Sequence, residues 1–133
     1  MTQAQCNWGI LSTAEIAQKN WAAIRFAENA TLRAVASRNL EKANAFIDCC
    51  QGSTPYEEPP MALGSYEQLL ESEEIDAVYI PLPTGLRKEW VIKAATAGKH
   101  VLCEKPCAIN YDDLLEMTQA CEQNHVQFMD GIM

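Results

Sequence analysis

Apolar and amphipathic runs alternate along the whole chain, and the alternation predicts strands and helices in strict succession. The first apolar run, NWGIL at 7–11, reads as a buried strand. After it, Ile16, Ala17, Asn20, Ala23, Ile24 and Ala27 recur at helical spacing, and Ser12 with Glu15 forms an S-x-x-E capping box at the start of that helix. A second strand at 31–37 leads into a helix from Leu40 with Leu40, Ala43, Phe46, Ile47 and Cys50 on its apolar face. The stretch 51–60 is a loop. A weak third strand near 60–63 precedes a short helix carrying Leu69 and Leu70, for which Ser65 and Gln68 make a second capping box. AVYIPLP at 77–83 is the strongest strand, and the helix after it offers Leu86, Trp90, Val91, Ala94 and Ala95 before Gly98 as its stop. HVLCE at 100–104 is the fifth strand. Asn110 with Asp113 caps a last helix that turns Leu114, Leu115, Thr118 and Cys121 inward, and VQFMDGIM at 126–133 is the sixth strand.

About six strands alternating with five helices is the pattern of an α/β protein, a doubly wound and mostly parallel sheet with helices on both faces. No repeat, low-complexity tract or linker interrupts it, so residues 1–133 are expected to form one domain. At 48% hydrophobic and 21% charged residues the chain has material for a core and is not a disordered segment. Its formal charge of −8 argues against a sequence-independent nucleic-acid binder, and no window reaches the roughly 18 to 20 apolar residues that a membrane span needs. The start of the chain has no basic segment followed by a long apolar stretch, which predicts a cytoplasmic protein. The six cysteines form no C-x-x-C and stand in no zinc-finger spacing to His100 or His125, so buried free thiols in a reducing compartment are expected and no metal site.

In such a sheet ligands bind beyond the carboxyl ends of the strands, near the point where strand order reverses. Four turns therefore carry the candidate chemistry. The first, Gly9 to Ala17, holds small residues at Ser12, Ala14 and Ala17 where a dinucleotide fold has G-x-G-x-x-G/A, and small residues there let backbone approach a pyrophosphate. A capped helix packed closely on a strand would select the same residues. The second turn places Ser37 and Arg38 after strand two; a hydroxyl and a guanidinium fork suit an adenosine 2'-phosphate, whereas a free ribose 2'-OH favours a carboxylate. NADP is thus expected over NAD, unless Arg38 is an ordinary surface charge. The third turn, Pro81, Leu82, Pro83 and Thr84, bends the chain sharply over the sheet top in a shape suited to a flat nicotinamide. The fourth is Glu104, Lys105 and Pro106. A lysine at a strand end is costly unless paired with a carboxylate such as Glu104 or used, and a positioned ammonium orients a substrate hydroxyl or shares its proton.

The segments NWGILSTAEIA, AVASRNLEKANAF, EIDAVYIPLPTGLRKEWVIKAATAGKHVLCEKPCA and FMDGIM together resemble the N-terminal nucleotide-binding domain of the glucose-fructose oxidoreductase, inositol dehydrogenase and rhizopine-catabolism (Gfo/Idh/MocA) family, in the branch with dihydrodiol and D-xylose dehydrogenases. The resemblance covers nearly the whole chain. It implies a Rossmann fold, a bound nicotinamide dinucleotide and hydride exchange at a carbon bearing a sugar, polyol or dihydrodiol hydroxyl. Carried over, it places Gly9, Ser12, Thr13, Ala14, Glu15 and Ile16 under the pyrophosphate, Ser37 and Arg38 on the 2'-phosphate, and Pro81, Leu82, Pro83, Thr84, Glu104 and Lys105 by the nicotinamide half. Lys105 resembles the family's catalytic lysine, and Pro106 its candidate cis proline.

The sequence departs from the family pattern at Ser12 and Ala14, where glycines are usual, and at Arg87, where many relatives place a histidine. The family's second α/β domain, which carries substrate, is not among these residues. Two readings follow: the cofactor domain of an NADP-dependent oxidoreductase, or a non-catalytic module that binds nucleotide or serves a larger assembly. In either case a sheet face left uncovered by the second domain is expected to favour self-association or docking to another protein.

Overall fold

Each apolar run becomes a strand and each amphipathic run a helix in the computed structural model, which describes residues 4–131. In chain order the elements are β1 (Cys6–Leu11), α1 (Ala17–Phe26), β2 (Ala30–Ala36), α2 (Leu40–Ser53), β3 (Met61–Leu63), α3 (Tyr66–Glu71), β4 (Ala77–Ile80), α4 (Thr84–Thr96), β5 (His100–Cys103), α5 (Tyr111–Gln123) and β6 (Phe128–Asp130). The six strands form one sheet in the order β3-β2-β1-β4-β5-β6, and every pairing is parallel. Chain order reverses between β1 and β4, so the carboxyl ends of these two strands open the crevice that ligands use in doubly wound sheets.

The two faces bury separate cores. On one face Trp21 and Ile24 of α1 and Phe46 and Ile47 of α2 pack on Ile10, Leu32, Val35 and Tyr79. On the other, α3, α4 and α5 bring Leu69, Trp90, Val91, Ala94 and Met117 against Leu11, Ala36, Val78, Ile80 and Val101. Gly9 in mid-strand serves this packing: a Cβ there would stand 2.7 Å from a Leu69 methyl, so α3 approaches the sheet only because position 9 has no side chain. No helix among the described residues is long and apolar enough to cross a membrane.

Local chemistry sets most boundaries. Asn39 Oδ1 accepts from the amides of Glu41 and Lys42, Ser65 Oγ from Gln68, and Asn110 Oδ1 from Asp113, which satisfies free donors at the starts of α2, α3 and α5. The Ser65 cap is reinforced by Gln68 Oε1, which accepts from the Gly64 amide at 3.3 Å. Gly98 stops α4 at φ +80, as its lack of a Cβ allows.

Several expectations are corrected. The Ser12–Glu15 capping box does not form: α1 begins at Ala17 with Ile16 as its uncapped N-terminal neighbour, and Ser12 lies in the preceding loop. The buried face of α1 is Ala17, Trp21 and Ile24, with Ala23 exposed outside it. Strand β4 ends at Ile80 rather than at 83, because Pro81 and Pro83 have no N–H for the ladder. Leu40 and Leu86, in the first turns of their helices, project past the sheet and are 51% and 39% exposed. In α5 the inward residues are Met117 and Cys121, while Leu115 is 39% exposed. The sixth strand is only three residues long, and Ile132 and Met133 fall outside the described residues. All six thiols are free, but only Cys50, Cys103 and Cys121 are buried, Cys49 being fully at the surface.

Candidate functional site

Short backbone bonds stitch the turns at the carboxyl ends into one rim. Ser12 N–H donates to the Ala36 carbonyl, Ser37 N–H to Leu63, Glu104 N–H to Ile80 and Gly131 N–H to Cys103. Each turn is thereby tied to the end of the neighbouring strand. All four candidate turns consequently lie on one edge of the sheet, at the crevice where strand order reverses.

The loop between β1 and α1 presents small side chains and unbonded backbone amides. Its first residue, Ser12, sits at φ 127, a backbone conformation that favours glycine and strains a residue with a Cβ. The Ser12 hydroxyl accepts from the Ala14 amide at 3.1 Å. The amides of Thr13, Glu15 and Ile16 make no hydrogen bond within the described residues, and they lie in the loop just ahead of α1, whose N-terminal end carries partial positive charge. Free donors, small side chains at 12 to 14 and the helix end fit the pyrophosphate of a dinucleotide. Gly9 stands apart from this cradle, inside β1 and under Leu69.

At the end of β2, Ser37 is buried and Arg38 exposed. The Ser37 hydroxyl accepts from the Asn39 amide at 3.3 Å, which holds it in the turn. Burial pushes the Tyr66 phenol of α3 above its ordinary value, and the positive charge of Arg38 partly opposes this. No carboxylate pairs with Arg38 among the described residues.

The turns after β4 and β5 are held by a residue that lies between them. Arg87, in the first turn of α4, is 6% exposed. Its Nε donates to the Leu82 carbonyl at 2.5 Å, and its Nη1 donates to the carbonyls of Glu104, at 2.8 Å, and Pro106. Pro81 and Leu82 are buried beneath their turn, which leaves Pro83 and Thr84 toward the surface. The Lys105–Pro106 bond is cis.

Glu104 and Lys105 face a groove of about 520 Å³ that Ile16, Lys19, Asn20 and Tyr79 complete. The Tyr79 hydroxyl donates to Glu104 Oε2 at 2.5 Å, and the Lys105 amide donates to Oε1 at 3.2 Å. Burial, followed by the Glu104 carboxylate, raises the Tyr79 pKa, so this phenol stays a proton donor. The Lys105 ammonium forms no ion pair with Glu104; it is exposed at the rim with its charge available. Behind the turn lies Cys103, whose thiol burial pushes up to about 12, with Cys107 raised in the same direction.

Sequence reasoning placed the four turns correctly on one edge but missed Tyr79 and the bonds of Arg87. The sign of Tyr79 was its place in β4, two residues from Ala77 on the face shared with Ile10, with its polar end left to find a partner.

The chain matches the oxidoreductase family described by its NAD-binding Rossmann fold over residues 6–132. It is 40% identical over 126 residues to D-xylose 1-dehydrogenase (NADP(+)) 2 of Haloferax volcanii, covering 95% of this chain and 37% of that protein. It is 34% identical over 126 residues to trans-1,2-dihydrobenzene-1,2-diol dehydrogenase of Xenopus laevis, covering 93% and 36%. Among solved structures, KijD10, a 3-ketoreductase from Actinomadura kijaniata in complex with TDP-benzene and NADP, superposes with a TM-score of 0.84 at 28% identity, over 95% of this chain and 38% of that one. The chain thus spans little more than a third of these relatives.

Proposed function

The chain belongs to the oxidoreductase family with the NAD-binding Rossmann fold, and from that premise we propose that it is the NADP(H)-binding unit of an enzyme that oxidises a CH–OH group of a sugar, polyol or dihydrodiol or reduces the corresponding carbonyl. The observation that carries the cofactor choice is the turn after β2, where buried Ser37 stands beside Arg38, which forms no ion pair among the described residues, and where residues 37–39 hold no carboxylate for a ribose 2'-OH. The names of the xylose and dihydrodiol enzymes support the substrate class, and the NADP in the KijD10 complex supports the phosphate-bearing cofactor. Nothing among these relatives favours a non-catalytic module.

In this reading the amides of Thr13, Glu15 and Ile16 hold the pyrophosphate, and Ser37 with Arg38 holds the 2'-phosphate. Pro83 and Thr84 on one side and Lys105 on the other flank the nicotinamide. When bound, the cofactor supplies or accepts the hydride. Lys105 orients the substrate hydroxyl and exchanges its proton, while the Tyr79-held Glu104 carboxylate keeps the Lys105 backbone in place.

Calorimetric titration of the chain with NADP and NAD at one salt concentration tests this, repeated with Arg38→Ala. Charge-assisted bonds of about 1.5 to 3 kcal/mol predict a loss of roughly 10- to 100-fold in NADP affinity, with NAD changed less than about twofold. Equal weakening of both cofactors would remove the 2'-phosphate site, and absence of binding by the folded wild-type chain would remove the reading altogether.

A further inference from the structure

Arg87 buries a full positive charge with no carboxylate within salt-bridge distance among the described residues. That is expensive unless the donors are used, and here they are used on main-chain carbonyls alone. The three acceptors come from two separate turns: Leu82 from the turn after β4, and Glu104 and Pro106 from the turn after β5. The second pair brackets one residue. Glu104 and Pro106 are the neighbours of Lys105, so one guanidinium pins the chain on both sides of the lysine while the lysine side chain stays exposed.

We propose that Arg87 is a positioning residue: its planar fork sets the spacing between the Pro83–Thr84 turn and Lys105, and with it the slot for the nicotinamide half of the cofactor. The inference rests on the NADP(H)-binding reading above. This side chain spends its donors on both turns, on either side of Lys105. Arginine is required because its rigid donors reach both turns at once; a lysine ammonium is a point charge on a flexible stem and serves one. The adenine half of the site, at Ser37 and Arg38, lies on the other side of β1 and does not depend on the fork.

The test compares two probes on the wild-type chain, Arg87→Lys and Arg87→Met. The first probe is 2',5'-ADP, which occupies the adenine half and reports that the chain is folded. The second is NADPH, followed by affinity and by the change in nicotinamide fluorescence on binding. In both variants 2',5'-ADP should bind within about twofold of wild type, NADPH should weaken by about tenfold or more, and the nicotinamide fluorescence change should be lost. Unchanged NADPH affinity and fluorescence would overturn the proposal, as would full recovery by Arg87→Lys, because charge alone would then suffice. Loss of 2',5'-ADP binding by both variants would make Arg87 a folding residue and overturn it too. A wild-type chain that binds neither probe would instead sink the cofactor reading beneath it.

Discussion

The two ends of α4 each bury a cation, and both are held by main-chain carbonyls rather than by a carboxylate. At the carboxyl edge of the sheet Arg87 joins the turns after β4 and β5. At the amino edge Lys99, also 6% exposed, donates from Nζ to the carbonyls of Ser72 and Ile75 at 2.6 and 2.7 Å, which ties the link between α3 and β4 to the start of β5. Burial lowers the Lys99 pKa, and the carboxylates of Asp76 and Glu73 partly oppose it. The chemistry is nearly the same at the two places, yet their meaning differs. Arg87 sits among turns that carry free donors and a groove, whereas Lys99 closes a connection at the end of the sheet where these folds bind nothing. A buried cation becomes functional through what its acceptors carry.

The largest effect outside the cofactor site is expected at Lys99. Changing it to Met leaves the buried Ile75 carbonyl without its donor and the half-buried Ser72 carbonyl with only the Ile75 amide at 3.4 Å, so urea unfolding should show a loss of about 1 to 3 kcal/mol while NADP affinity stays within about twofold. A matching loss of NADP binding would erase the distinction between the two ends.

Alkaline pH sharpens the contrast. The thiols of Cys50 and Cys103 have folded-state pKa values raised to about 11 and about 12, chiefly by burial. A raised value means that the folded chain keeps protons that the unfolded chain releases, so the stability is complete below the unfolded thiol value and is lost as pH rises toward the folded one. Thermal unfolding should therefore fall above about pH 9, by about 1 kcal/mol for each of these thiols near pH 9.5. Lys99 works the other way: its lowered value means that the cost of burying the charge is relieved as pH rises through the folded pKa. The Lys99→Met variant lacks that offset and should lose stability more steeply with pH. Identical slopes in the two proteins would show that Lys99 does not titrate in this range.

The smallest effect is expected at Ser12. Its φ of 127 suits glycine, so Ser12→Gly should gain up to about 1 kcal/mol despite the extra freedom of glycine in the unfolded chain. A drop in melting temperature would mean that the bond from the Ala14 amide to the Ser12 hydroxyl outweighs the strain.

Much of the molecule could be read before folding because its signals are local. The 3.6-residue and apolar-run periods place all six strands and five helices, and Ser65, Asn110 and Gly98 mark their ends through side chains or flexibility that act within a few residues. The reading erred where a local signal had two uses. Ser12 and Glu15 have capping-box spacing, but the loop keeps Ser12 for the turn ahead of the helix. Gly9, read with the first turn, has a further use in the sheet, where its missing side chain admits Leu69. Lys105 could have paired with Glu104 as its neighbour in sequence, yet Glu104 is taken by Tyr79, 25 residues away.

By itself the sequence determined the order of elements and the residue types at the four turns. These follow from spacing and side-chain chemistry along the chain. Only the tertiary structure decided which turns share one rim, that Tyr79 holds Glu104, and that Arg87 and Lys99 spend their charge on carbonyls rather than on carboxylates. The reason is physical: a main-chain carbonyl is the same acceptor at every residue, so nothing in the identities of Leu82, Glu104 or Pro106 announces that a guanidinium will meet them until the β4–α4–β5 crossover folds the three together.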